Sequence, residues 1–182
     1  LRTSDYKARR SEIEAWNSDR RFRSRGIAFQ PVKFGISFTK SILNQAGALV
    51  LVYTDGTVQL NHGGTEMGQG LHMKMITVCA HGLGIGRQDV RIMNTATDKV
   101  PNTSATAASS GSDLNGQAVA NACEELRSRM EPAAASLLGV SAGDALHFEG
   151  GFITSPAAPG ASITFAELAN ECWLRKVSLA AT

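Results

Sequence analysis

Two stretches of this 182-residue sequence gather residue types that can hold a charged ligand. The first, Gly63-Gly64-Thr65-Glu66-Met67-Gly68-Gln69-Gly70, sets four glycines around a few polar side chains. Glycine lets the backbone turn tightly and lets another group approach without meeting a Cβ. A helical pattern starts at Leu71, so the free N–H groups and positive dipole end of a helix face the same loop. Such an arrangement cradles anions, phosphate most commonly. The second stretch, Thr106-Ala107-Ala108-Ser109-Ser110-Gly111-Ser112, repeats the design ahead of a longer helical pattern. Two such N-termini could clamp one large anionic ligand through N–H groups, hydroxyls and the Gln69 amide. The first lacks the Gly-Lys-Ser/Thr of a P-loop and the spacing of a dinucleotide fingerprint. On chemistry alone, anion binding and plain helix capping both stay open.

The other chemically capable residues carry bland alternatives. Glu66 reads as a general base or, more simply, as a carboxylate capping the helix that follows. His62, His72 and His81 fall on neither a metal-ligand spacing nor a common helical face, and read as core or surface histidines. Phe38 reads by pattern as a core residue that could instead face a ligand. No nucleophile–base–orienter set is visible.

The elements that must position these residues follow from periodicity. Residues 4–22 carry an amphipathic helical pattern, with Ser11 and Glu14 spaced as a capping box. From Gly26 to Phe38 the pattern turns to period two, which predicts a strand with a bulge or an edge at Pro31. Residues 48–53 and 57–62 read as a hairpin around Asp55-Gly56, which delivers the chain into the first glycine loop. Helices are expected from Leu71 to Leu83 and from Asp113 to Met130, with Pro132 starting a further turn that ends at Gly139. Val90, Ile92 and Asn94 belong to another strand between them. A second hairpin spans 145–154, Thr164 to Glu167 forms a capping box, and 177–182 reads as a strand. Strands mixed with helices, without a regular βαβ rhythm, predict an α+β fold.

Composition narrows the class. A hydrophobic fraction of 43% and a charged fraction of 19% are those of a globular protein. No apolar run is long enough for a membrane span, and no apolar stretch follows the N-terminus as in a signal peptide. Cys79, Cys123 and Cys172 are odd in number and widely spaced, which predicts reduced thiols and a cytoplasmic setting. Residues 1–25 hold eight Lys/Arg against four Asp/Glu, a basic N-terminal helix without the aromatic platform of a nucleic-acid binder. The chain opens on Leu1 inside a helical pattern and closes inside a strand-like run. It therefore reads as a piece of a longer polypeptide.

Longer stretches carry a resemblance. Lys33-Phe34-Gly35-Ile36-Ser37-Phe38-Thr39, then residues 43–48 and 52–56, resemble the molybdenum-cofactor part of the xanthine dehydrogenases, in the xanthine oxidase/aldehyde oxidase family. So do residues 62–72, 100–109 and 113–119. The resemblance runs from about Gly26 to the C-terminus, so that residues 26–182 would be a portion of a molybdopterin-binding domain. It implies hydroxylation of purines such as hypoxanthine and xanthine with oxygen from water, at a molybdenum centre held by a pterin dithiolene. It also implies that Phe38 packs on the substrate ring and Thr39 hydrogen-bonds the substrate. Gln69, with Gly68 beside it, would lie near the metal and the pterin without ligating the metal. Thr106, Ala107, Ala108 and Ser109 would line the pterin, Ala107 and Ala108 also the substrate pocket. No catalytic residue is carried over, because the family's catalytic glutamate belongs to a later motif. The 2Fe-2S clusters and FAD would sit in other domains or chains. The partners implied are the rest of the same enzyme, in a homo- or hetero-oligomer, and a purine, with no nucleic acid and no membrane. An aldehyde-oxidising enzyme of the same family, or a non-catalytic binding or assembly module, are the alternatives.

Overall fold

The structure, a computed structural model, describes residues 3–19, 22–98 and 103–182. It divides into two compact units, residues 1–35 and residues 36–182.

In the first unit, helix α1 (Tyr6–Ser18) buries none of its residues. It is held by an Arg10–Glu14 pair at 3.0 Å and by Asn17, whose carboxamide both donates to Arg25 O (3.0 Å) and accepts from Arg25 N–H (2.8 Å). The Arg25 guanidinium lies 4.2 Å from the Trp16 ring centre. Ser11 is an interior helical residue that donates to Lys7 O, so the capping box expected from Ser11 and Glu14 does not form. The strand expected from Gly26 to Phe38 is also absent, and Phe29, Val32, Phe34 and Ile36 are exposed. Period-two patterning specifies a face, whereas a strand needs a neighbour for its N–H and C=O groups. Among the described residues no strand pairs with this segment.

The second unit has the expected α+β architecture. Strands β1 (Ala48–Val52) and β2 (Val58–His62) form the predicted hairpin, in register from Ala48 opposite His62 to Val52 opposite Val58. Gly56 turns it at φ 83°, and Asp55 accepts the Thr57 N–H at 2.9 Å. The chain then crosses through helix α2 (Leu71–Leu83) to strand β3 (Val90–Ile92), which pairs parallel to β2. Helix α3 (Gly111–Leu138) packs along α2 and across β1. It runs unbroken through Pro132, where the sequence suggested a new turn. A proline removes one i→i−4 bond, and buried Met130, Ala133, Ala134 and Leu138 hold the helix on either side of the gap. Gly139, at φ 69°, ends it as expected.

Strands β4 (His147–Glu149) and β5 (Phe152–Thr154) form the second hairpin, and β6 (Ser162–Thr164) extends it to three strands. Helix α4 (Phe165–Leu174) starts from a complete capping box of Thr164 and Glu167. Strand β7 (Ala180–Ala181) pairs with β1, giving the main sheet the order β3-β2-β1-β7. The core between sheet and helices holds Val50, Leu60, Leu71, Met75, Val119, Leu126 and Met130, all nearly inaccessible. Cys79 and Cys123 sit within it as free thiols, 3.8 Å apart, and the contact with Cys123, then burial, raises the Cys79 pKa. No helix among the described residues is long and apolar enough to cross a membrane.

Candidate functional site

β2 ends at His62, and the first glycine loop begins there. The His62 ring is buried, and its Nδ1 accepts the Gly64 N–H at 3.0 Å. That bond puts the ring proton on Nε2. Burial and the neighbouring His72, edge-on at 5.2 Å, push the His62 pKa down to about 4. Gly64 packs in a space bounded by Leu71, Asn115 and His62, so the loop lies flat on the core. Gly68 and Gly70 are glycines for a different reason. Their φ angles are 99° and 76°, where a side chain is strained, yet no atom crowds them.

These turns bring Glu66 back over the start of α2. One carboxylate oxygen accepts from Gly68 N–H (2.8 Å) and Gly70 N–H (3.0 Å), and the other from His72 N–H (2.9 Å). The three bonds, the one from His72 foremost, hold the Glu66 pKa down at about 2. The α2 N-terminus is therefore filled by the protein's own anion. Capping is the role Glu66 plays, and the first loop is not an open cradle.

Gln69 clasps the same loop. Its Oε1 accepts from Met67 N–H (2.6 Å) and its Nε2 donates to Thr65 O (2.9 Å). Thr106 Oγ1 accepts the Thr65 N–H at 2.8 Å and joins the first loop to the second. The second loop folds through Ala108 and Ser109, both left-handed at φ 51° and 54°. Two such residues cost on the order of 1 kcal/mol or more each, and they aim the chain into α3. Ser37 N–H donates to Ala108 O at 3.0 Å, which brings the next residue, Phe38, beside that loop. Phe38 is half-buried and gripped by Asn44, which accepts its N–H (2.9 Å) and donates to its carbonyl (3.0 Å). Thr39 is exposed.

The two loops thus wall one cleft of about 450 Å³. Gln69, Thr106, Ala107, Ala108 and Ser109 line it, and Gly68, Phe38 and Thr39 are not part of the lining. Lys74 and Ser112 also line it, with Lys74 Nζ donating to Ser112 Oγ at 3.1 Å. Sequence reasoning passed over Lys74, whereas Ser112 closes the second loop that it singled out. The available signal was spacing, since Lys74 lies one helical turn beyond Gly70 on the side of α2 that faces α3. Residues 99–102, part of the resembling stretch, lie outside the described residues. A larger groove, about 730 Å³, runs between α2 and α3 from Thr77 to Glu131, away from both loops.

The buried histidine and the capping carboxylate set an acid response. His62 has a folded pKa below its ordinary 6.5, so between pH 6.5 and 4 the unfolded chain binds more protons. Stability is therefore expected to fall as pH drops through that window. Glu66 adds a second loss between pH 4.5 and 2, where its caps are titrated away. Urea unfolding from pH 7 to 3 checks this. A His62→Asn variant, which keeps an acceptor near Nδ1, should flatten the upper window. A wild type of constant stability from pH 6.5 to 4 contradicts it.

The family model for the molybdopterin cofactor-binding domain matches residues 1–182. The chain is 58% identical over 132 residues to a xanthine dehydrogenase of Calliphora vicina, which is 72% of this chain and 10% of that protein. It is 45% identical over 179 residues to xanthine dehydrogenase 2 of Arabidopsis thaliana, 98% of this chain and 12% of that one. The chain thus spans about a tenth of the curated relatives it matches. Among solved structures, CO dehydrogenase from Oligotropha carboxidovorans superposes with a TM-score of 0.68 at 25% identity, over 75% of this chain and 18% of the other. Quinoline 2-oxidoreductase from Pseudomonas putida 86 gives the same TM-score and coverage at 22% identity, a likeness of fold alone.

Proposed function

This chain belongs to the molybdopterin cofactor-binding domain family, and on that premise we propose that it forms one wall of the cofactor and substrate pocket of a xanthine dehydrogenase. The observation that carries the reading is the junction of three segments: Thr106 ties the second loop to the first, and Ser37 ties the Phe38 segment to the second. The donor set fits the cofactor. A pterin presents a flat polar ring and a phosphate, and the cleft offers the Gln69 carboxamide, hydroxyls of Thr106, Ser109 and Ser112, and the Lys74 ammonium. Its volume is within the range of about 300–1,000 Å³ usual for small-molecule sites. Among the described residues no three His, Cys, Asp or Glu side chains converge for a metal ion.

When bound, the cofactor supplies the two-electron oxidation chemistry at molybdenum. The chain's residues hold and orient. Gln69, braced at both ends of its amide, lines the cleft and has one N–H left to donate. Ala107 and Ala108 leave room for a ring where larger side chains would block it. Phe38, fixed at its backbone by Asn44, offers a flat face on which a purine can stack, with Thr39 as its hydrogen-bonding neighbour. The base and the electron-transfer centres belong to the rest of the same enzyme, in the cytoplasm. That face favours a purine over a small aldehyde.

Metal and pterin analysis of the intact enzyme tests the reading. Stoichiometric molybdenum with xanthine turned over faster than aldehydes is expected. An enzyme without molybdenum would make this a binding or assembly module, and preferred aldehyde turnover would overturn the purine assignment.

A further inference from the structure

Behind the two loops, β2, α2 and α3 each bring a polar side chain into the interior: His62 ends β2, His72 lies at the start of α2, and Asn115 lies early in α3. His62 is 2% exposed and Asn115 4%. The hydrogen bonds these side chains make fix which of their atoms remain. Gly64 N–H donates to His62 Nδ1 at 3.0 Å, so Nε2 carries the ring proton. Asn115 Nδ2 donates to Gly111 O at 2.9 Å, so its Oδ1 is left as an acceptor. A donor and an acceptor are thus both buried, and neither completes a direct bond among the described residues. They are close neighbours all the same. A Cβ on Gly64 would lie 3.0 Å from Asn115 Nδ2 and 3.1 Å from His62 Nδ1. Burial first, then His72, lower the His62 pKa, and the nearby Asn115 side chain opposes them. His72 Nε2 is a third buried atom without a partner, on a ring edge-on to His62 at 5.2 Å. Asn61 Oδ1 is unpartnered too, but Asn61 projects from the opposite face of β2.

We propose that His62 Nε2, Asn115 Oδ1 and His72 Nε2 enclose a binding site for one internal water molecule, which joins the end of β2 and the first loop to α2 and α3. The water accepts the His62 Nε2–H and gives its own two protons to Asn115 Oδ1 and His72 Nε2. All three atoms are then satisfied, and three hydrogen bonds are the usual number for a buried water. Buried polar atoms left without such a partner are rare and costly. A metal ion does not suit the site. One His62 nitrogen is engaged by Gly64 and the other is protonated, so neither has a lone pair to give a metal. The role of the water is positional. His62 holds the first loop through Gly64, and Asn115 holds the start of α3 through Gly111, so the bridge between them keeps the two walls of the cleft at one spacing.

Crystallography of the intact enzyme, with anomalous data, is the test. Expected is one peak without anomalous signal, within about 2.5–3.2 Å of His62 Nε2, Asn115 Oδ1 and His72 Nε2. A direct bond between Nε2 and Oδ1, a site without density, or the anomalous peak of a metal overturns the proposal. Asn115→Leu nearly keeps the volume and removes the acceptor, so the peak should be lost. In solution, amide exchange of the peptide covering residues 62–68, read by mass spectrometry, should then run about 10-fold faster than in wild type, the effect of losing one or two net hydrogen bonds. The variant also loses the bond to Gly111, which is read separately at residues 107–112. A water that persists in Asn115→Leu, or exchange over 62–68 as slow as in wild type, overturns the bridge between the first loop and α3. If the variant does not assemble, the wild-type density decides alone.

Discussion

Gly64→Ala is expected to destabilise this chain by about 2–3 kcal/mol, the usual cost of forcing an extra methyl into a packed core. The new Cβ would lie 2.5 Å from Leu71 Cδ2, 3.0 Å from Asn115 Nδ2 and 3.1 Å from His62 Nδ1. All three neighbours are at most 4% exposed, so none can swing into solvent to make room. Displacing His62 also strains the bond from Gly64 N–H that sets the path of the loop. Gly116→Ala in α3 is the control. Its Cβ would meet only Met75 Cε, at 3.6 Å, an ordinary contact. Replacing a helical glycine by alanine should then be neutral or stabilising by up to about 1 kcal/mol. Urea denaturation of the two variants beside wild type reads both effects, and equal stability of all three would remove the steric argument.

Gln69→Ala in the intact enzyme is expected to lower cofactor occupancy or turnover by about 10- to 100-fold, the range typical of residues that orient the groups around a metal site. Alanine removes the acceptor for Met67 N–H and the donor to Thr65 O together. The loop then keeps the Glu66 caps but loses the clasp that fixes its outer edge. Gln69→Glu separates the two functions. It keeps an acceptor for Met67 and loses the donor, while placing a second carboxylate beside Glu66. It should therefore impair cofactor binding at least as much as alanine. Molybdenum content and xanthine turnover are the measurements, and unchanged values for both variants would remove Gln69 from the site.

Much of the architecture was legible because it rests on local signals. Asp55-Gly56 between two apolar runs specifies a hairpin, and Thr164 with Glu167 specifies a helix start. Both are satisfied by atoms within a few residues, and both formed as read. Ser11 and Glu14 show the limit of that logic. The same spacing inside a run of good helix formers is simply helix interior, because the turns before it are already helical. The segment from Gly26 to Phe38 failed for a different reason. Its alternation is clear, but a strand is a relation between two segments, and among the described residues no second one pairs with it. Pro132 misled because helix propensity counts the lost hydrogen bond and cannot count the packing that outweighs it.

For the site, the sequence by itself determined the ingredients. It showed two glycine- and serine-rich loops, each feeding a helix, and the resemblance attached Gln69, Thr106–Ser109 and Phe38 to a cofactor. Only the tertiary structure decided how those ingredients divide their work. Whether Glu66 turns back onto α2 depends on left-handed backbone at Gly68 and Gly70, and whether Lys74 reaches Ser112 depends on how α2 packs along α3. Long-range packing of this kind leaves no periodic trace, because the partners are 38 residues apart and each is unremarkable alone. The outcome is a cleft in which Glu66 caps one helix end from within and Lys74 reaches the first turn of the other.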